Sequence, residues 1–469
     1  MKLVASFLSS RFYPFITAAI IIACYYASLD IISIIYIGIT GTLIFLLLDD
    51  VSPMITNILF LAVFISYKNT PNSGRGDSYY YLQLQILIPV CIIAAILIAS
   101  MVFRFVLNCV QGKFKLTPMF FGLCALSVTF IMNGVLGEKY NLLDLMFGVS
   151  LTLLFLGLFA LFKDSIIPDG KTFERIALSF TAFSVLLVIE LIVAYCTIDG
   201  IFEGAGIDRN KLVFGWGSYT SYGTYVVMCI PAVVYLAGKY KYGFTLTLYS
   251  FVLFVAAFMC LCRQAMICAV IVYPICLIIL LVKGKNRIAN LLIIAAALIA
   301  AIVVAGLYQD YMFNFFKTIF ANIKNADGEL NGSGRMDLYR QAIAHYKRNP
   351  IFGIGFYYIS DYSGNSKIGF SLIPRMYHNT IMQMMGACGT FGIIAYAVHR
   401  VQTVICYFKK VTIDRTLIAL TILSLLIVSL LDTHIFNIYP TMMYSFLLSV
   451  LVKSQGEKKP ATQELLATA

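Results

Sequence analysis

Time after time along this chain an apolar run of roughly 17–22 residues ends at a Lys, Arg, Asp, Gly or Pro, close to the ~20 residues a helix needs to cross ~30 Å of hydrocarbon. Strand-like alternation is absent, which argues against a membrane β-barrel. Hydrophobic residues make up 61% of the 469 and charged residues 12%, against about 45–50% and 25% in soluble domains. The expected fold is therefore an all-α polytopic membrane protein of about fourteen transmembrane helices (about 12–14). Eleven are expected within residues 1–307 and three within 378–452. Between them lies one long extracytoplasmic loop, 308–377, containing short helices; a polar, unstructured cytoplasmic tail, 453–469, follows.

The formal charge of +12 would suit a nucleic-acid partner, but the basic residues stand at the ends of apolar runs. There they orient the chain and meet anionic headgroups, so membrane lipids are expected as partners and nucleic acid is not. With an inside N-terminus, inner segments hold 20 of the 34 Lys and Arg, and outer ones hold 14, of which 8 lie in the long loop. A loop of that length crosses largely regardless of charge. The remaining comparison, 20 against 6, sends the long loop outward, to the periplasm or its equivalent. Arg263, Arg335 and His378 then share the outer face.

Several local features read as scaffold. The twelve cysteines fall almost entirely inside apolar runs and outside the long loop, without CxxC spacing, so they read as small buried hydrophobes rather than a disulfide or metal framework. The first span, 12–28, reads as a retained signal-anchor. Asp49-Asp50 reads as a solvated turn, since no DxD spacing is present. Residues 400–415 read as a basic turn. Glu190, ionisable within an apolar run, is either half of a structural ion pair or part of a site, because a charge stranded in lipid costs several kcal/mol. The polar segment 199–218 carries Arg209 as a further supporting candidate. Tyr219 and Tyr222 could stack on a sugar or belong to an interfacial aromatic belt.

The long loop is the polar centre of the chain. Ser333 is a good N-cap, and residues 334–347 place Met336, Tyr339, Ile343 and Tyr346 on one helical stripe that stops before Pro350. Arg335 would then occupy the first helical turn, where the helix dipole disfavours a cation by a few tenths of a kcal/mol. An anion would reverse that, since free N–H groups, flanking glycines and a guanidinium fork make a phosphate site; Arg335 could equally pair with Asp337 or solvent. Gly353-Ile354-Gly355 lacks the third glycine and the βαβ setting of a nucleotide fingerprint and reads as a turn folding the loop back on the membrane. His378, with Asn379 beside it, is either a helix-start cap or a proton-transfer group, imidazole being suited to that work near neutrality.

Taken together, Cys262-Arg263-Gln264-Ala265, Gly332-Ser333-Gly334-Arg335 with Leu338-Tyr339 and Ala342, Asn349-Pro350 with Gly353 and Gly355, and His378-Asn379 with Gln383, Gly389 and Gly392 resemble the core of the O-antigen ligase and O-antigen polymerase superfamily. The resemblance covers roughly residues 215–392. Cys262 stands where that family commonly has serine, and Gly386-Ala387-Cys388-Gly389 lacks the acid common before the glycine.

The resemblance implies an inverting glycosyltransferase, independent of metal and nucleotide and without a cofactor, in the cytoplasmic (inner) membrane with its site facing outward. Its donor would be an oligosaccharide on a polyprenyl diphosphate such as undecaprenyl diphosphate. Its acceptor would be another glycan or a lipid core, in making surface polysaccharide such as lipopolysaccharide or capsule. Arg263 and Arg335 would hold the diphosphate and His378 would act on the acceptor hydroxyl, with Asn379, Ser333, Glu190 and Arg209 as supporting candidates. A flippase and a chain-length regulator are the implied protein partners. The alternative from a different class is a polysaccharide or lipid-glycan flippase, for which internal repeats and mid-membrane charges would be expected.

Overall fold

The computed structural model describes residues 1–65, 84–137, 140–197, 212, 214, 218–320, 334–357 and 376–456. Among them every regular element is helical. In chain order these are α1 (Lys2–Leu8), α2 (Tyr13–Tyr26), α3 (Asp30–Leu47), α4 (Met54–Ile65), α5 (Leu84–Val110), α6 (Pro118–Leu136), α7 (Leu142–Thr152), α8 (Leu158–Ser165), α9 (Gly170–Thr197), α10 (Tyr219–Lys239), α11 (Phe244–Met259) and α12 (Arg263–Lys283). After them come α13 (Arg287–Leu307), α14 (Gln309–Phe320), α15 (Arg335–Arg348), α16 (Thr380–Phe408), α17 (Ile413–Leu431) and α18 (Ile438–Lys453).

Among the described residues ten helices are long and apolar enough to cross a membrane, or eleven if α1 and α2, which meet at 82°, form one broken span. Three shorter apolar helices, Met54–Val63, Phe244–Met259 and Ile438–Lys453, fall below that length. The chain is a multi-pass membrane protein, but the count of fourteen is not confirmed. Its centre is α10, with 89% of its apolar window buried, whereas α13 has 6% and stands at the periphery. A π-helical turn, Leu153–Gly157, joins α7 to α8. Such a turn disturbs the carbonyl ladder, and the Ser445 hydroxyl of α18 donates to the Leu154 carbonyl there at 2.7 Å.

The segments that charge alone grouped on one side meet at one end of this bundle. Glu174 binds both Arg11 (2.8 Å) and Lys239 (3.0 Å), Arg104 donates to the Asp49 carbonyl (2.6 Å), and Lys453 reaches Asp164 (3.6 Å). The turn at Asp49-Asp50 is only half solvated: Asp49 is exposed, but Asp50 accepts from the Ser52 and Ile167 N–H groups and pairs with Arg175 at 2.8 Å. The basic turn expected over 400–415 is shorter than that, since α16 runs on to Phe408. Arg400 lies within it, its guanidinium 4.5 Å from the Tyr396 ring centroid and 4.8 Å from that of Tyr444, and Arg415 is buried on the Cys406 carbonyl (2.6 Å). Of the twelve cysteines, Cys91, Cys109, Cys124 and Cys196 are exposed rather than buried. Apolar spans bury only one face against protein, and these thiols sit on the other.

At the opposite end the chain builds a support for the loop. Helices α6 and α7 cross so closely that a Cβ on Gly134 would lie 2.4 Å from the Leu145 nitrogen and one on Gly148 2.1 Å from the Phe130 oxygen, the small-residue contact that lets membrane helices approach. At the tip of this hairpin buried Asp144 accepts from the N–H groups of Phe356 (2.5 Å) and Tyr357 (2.8 Å).

The segment 350–355 so clamped fills a break in α16. Gly389 leaves the helix with φ 65° and ψ −158°, which removes the local partners of its neighbours. Ile354 and Gly355 donate to the Gly386 and Ala387 carbonyls (3.1 and 3.0 Å), and Thr390 and Phe391 donate to those of Pro350 and Ile351 (2.8 and 3.3 Å). Broken-helix backbone in a membrane protein needs such replacement partners. Gly353-Ile354-Gly355 is thus a structural turn that folds the loop onto α16.

Candidate active site

Four chain segments converge at the loop end: the starts of α12 and α15, the approach to α16, and the turn after α17. Arg263 is the first residue of α12 and Arg335 the first of α15. Each is half-buried, each follows a residue with positive φ (Leu261, 54°, two before Arg263; Gly334, 84°, immediately before Arg335), and each sets a cation at the end of a helix whose dipole favours an anion.

The cap of α15 is Gly334, whose left-handed backbone suits glycine; Ser333 lies outside the described residues, as does Arg209. The packing face of α15 also differs from the expected stripe: Met336 and Ile343 are exposed, while Ala342 is fully buried and His345 Nδ1 meets the Tyr377 hydroxyl at 2.6 Å. The helix is turned by the short side chain that lets it lie against α16.

His378 stands in left-handed backbone, φ 50°, a conformation that costs a residue with a β-carbon about 1 kcal/mol or more. The residues around it fix that pose. Tyr377, wholly buried, donates its N–H to Gln383 (2.8 Å). Asn379 caps α16, its Oδ1 accepting from Ile381 and Met382 (2.9 and 3.0 Å) while its amide donates to the Leu430 carbonyl (2.8 Å). Thr380 donates to the Ser429 carbonyl (2.5 Å). Asn379 and Thr380 therefore tie the start of α16 to the end of α17.

That tie brings His378 to Asp432. Its Nδ1 lies 2.8 Å from Asp432 Oδ1, which also accepts the Thr433 N–H at 2.7 Å. Burial alone would raise the Asp432 carboxyl. The hydrogen bond from His378, the charges of His434 and His378, and the Thr433 N–H outweigh it and hold the group well below the usual carboxylate range. The carboxylate is thus charged at neutral pH and fixes the His378 proton on Nδ1, which leaves the ring lone pair on Nε2.

Gln264 joins this pair to Arg335. Its amide oxygen faces Arg335 Nη2 at 3.4 Å, and its nitrogen faces Asp432 Oδ2 at 3.4 Å and His434 Nε2 at 3.0 Å. Reversing the amide would set donor against donor at Arg335 and oxygen against carboxylate at Asp432, so both neighbours fix its orientation. His434 then accepts at Nε2 and carries its proton on Nδ1. It is buried, and burial, with the charges of His378 and Arg335, lowers its pKa despite the opposing effect of Asp432.

The structure therefore brings Arg335 and His378 into one network, with Arg263 the chain neighbour of its hub. Glu190 accepts the Tyr26 hydroxyl at 2.8 Å. Tyr222 is buried and stacked on Phe214 at 4.0 Å, so its ring is already covered and offers no face to a sugar. Asp432, His434 and Gln264 were not singled out by sequence. A signal was present: an acid and a histidine occupy the turn between the last two apolar runs, on the side assigned to His378.

No match was found among curated proteins. Residues 248–397 match the family model described as O-Antigen ligase; the matched segment carries Arg263, Gln264, Arg335 and His378 and stops short of Asp432. With all-helical architecture and many apolar helices around that segment, the chain is a multi-pass membrane protein whose residues 248–397 are similar to the O-antigen ligase family, in keeping with the resemblance to the O-antigen ligase and O-antigen polymerase superfamily.

Proposed function

We propose that this protein transfers a polyprenyl-diphosphate-linked glycan to an acceptor hydroxyl at the outer face of the cytoplasmic membrane, with inversion at the anomeric carbon. The observation that carries this reading is the joining of Arg335 to the His378–Asp432 couple through Gln264, whose chain neighbour is the second helix-first arginine, Arg263. Cations at helix starts are unfavourable by about 0.3–1 kcal/mol each until an anion joins them, and a diphosphate is such an anion.

In this reaction the neutral His378 takes the acceptor hydroxyl's proton on Nε2 while Nδ1–H donates to Asp432, which stabilises the imidazolium that forms. The acceptor oxygen attacks the anomeric carbon from the face opposite the diphosphate. The bond from that carbon to the leaving oxygen breaks, its electron pair staying with the diphosphate, where Arg263, Arg335 and the positive dipole ends of α12 and α15 meet the growing charge. A lipid-linked donor can enter laterally between helices, which suits a site at the end of a bundle. Polymerase and ligase share this donor site; polymerase is preferred because it needs no separate acceptor molecule.

The test is transfer by purified protein. Lipid-linked repeat units alone should give longer chains, and Arg263→Ala, Arg335→Ala and His378→Ala should each abolish them while the protein stays in the membrane. Product appearing only when a second acceptor is added would identify a ligase, and wild-type transfer in all three variants would sink the assignment.

A further inference from the structure

At the end of the bundle opposite the candidate site, a cavity of about 380 Å³ opens between α10, α12 and α17, within the range of about 300–1,000 Å³ typical of small-molecule sites. Its deeper wall is apolar, built from Val234, Ile279, Leu417 and Leu420. Its mouth is basic: Lys239 ends α10, Lys283 ends α12 and Lys285 follows, while Asp414 is the acid among the lining residues. Asp414 already accepts the Tyr235 hydroxyl at 2.5 Å, and Lys239 binds Glu174 at 3.0 Å. Lys283 and Lys285 are exposed. The turn that carries them is held in place, Lys285 donating its N–H to the Gly238 carbonyl at 3.1 Å.

We infer that this cavity binds an anionic phospholipid of the adjoining leaflet. All three walls come from helices apolar enough to span, and the lysines close their ends, so the mouth lies where headgroups lie and the apolar wall where acyl chains lie. Cations over an apolar slot match a phosphate over a chain, and basic pockets between membrane helices hold anionic headgroups in this way. A neutral or zwitterionic lipid would fill the slot but leave the lysines unmatched, and a soluble phosphate would meet the lysines but leave the slot empty.

Purified full-length protein in detergent is titrated with phosphatidylglycerol, phosphatidylcholine or glycerol phosphate, with bound lipid counted by native mass spectrometry and thermal stability followed alongside. Phosphatidylglycerol should bind and stabilise, with the other two weaker by about tenfold or more. Lys283→Glu with Lys285→Glu, both exposed and so tolerated by the fold, should remove that preference. Leu420→Trp should block the slot and lower binding with the lysines intact. Equal binding of phosphatidylcholine, equal stabilisation by glycerol phosphate, unchanged preference in the double variant, or no binding at all would each overturn the inference.

Discussion

Nδ1 of His378 and Oδ1 of Asp432 stand 2.8 Å apart across 54 residues of chain. Because the carboxylate occupies Nδ1, it favours the tautomer with the proton there, leaving Nε2 for the proton transfer proposed above. Asp432→Asn keeps the shape and loses the charge, so transfer should fall by about 10²–10⁴-fold while the protein remains folded. Initial rates beside a thermal unfolding curve check this; a near-normal rate would mean that Asp432 only braces the turn.

Gln264 should behave as a connector. Gln264→Leu leaves Asp432 Oδ2 and His434 Nε2 without the amide and should destabilise by about 1–3 kcal/mol. Gln264→Glu keeps an oxygen for Arg335 but turns its other one toward Asp432 Oδ2, so its rate should fall further than that of the leucine variant. A glutamate variant with wild-type kinetics would refute the connection.

The clamp at the tip of α7 should be sensitive to a single methyl. A Cβ on Gly355 would lie 2.3 Å from Asp144 Oδ2, and the backbone there has φ 90°. Gly355→Ala should therefore cost about 1–3 kcal/mol, seen as a lower melting temperature, and should loosen the 350–355 segment that fills the break at Gly389.

Stability should fall on mild acidification, partly through His434. Its folded pKa lies below the ordinary histidine value, so below about pH 6.5 the unfolded chain takes up a proton that the native chain refuses. The unfolded state then binds more protons, and stability rises with pH in this window. Unfolding curves at pH 7.5 and 5.5 should show the loss, and His434→Gln should make it smaller.

Much of this was legible in the sequence, for separable reasons. Apolar length announces a spanning helix, and charge distribution groups the turns, so the segments holding Arg11, Glu174, Lys239 and Lys453 could be assigned together before they were seen to touch. Arg335 drew notice because a cation is unfavourable where it stands. Asp432 and Gln264 were not legible in the same way. An acid in a short turn and an amide at a helix start are ordinary alone, and only the packing of α17 against α16 and α12 gives them partners. The kink at Gly389 was hidden because its repair comes from 350–355, far away in the chain.

If His378 is the base at a donor site framed by Arg263 and Arg335, its loss should stop transfer and spare the donor. Single-turnover transfer from a labelled lipid-linked donor to acceptor by purified His378→Ala, with donor binding measured on the same preparation, separates the two. Donor should bind as in the wild type while the rate drops by at least ~100-fold. Wild-type transfer by that variant would rule His378 out as the base.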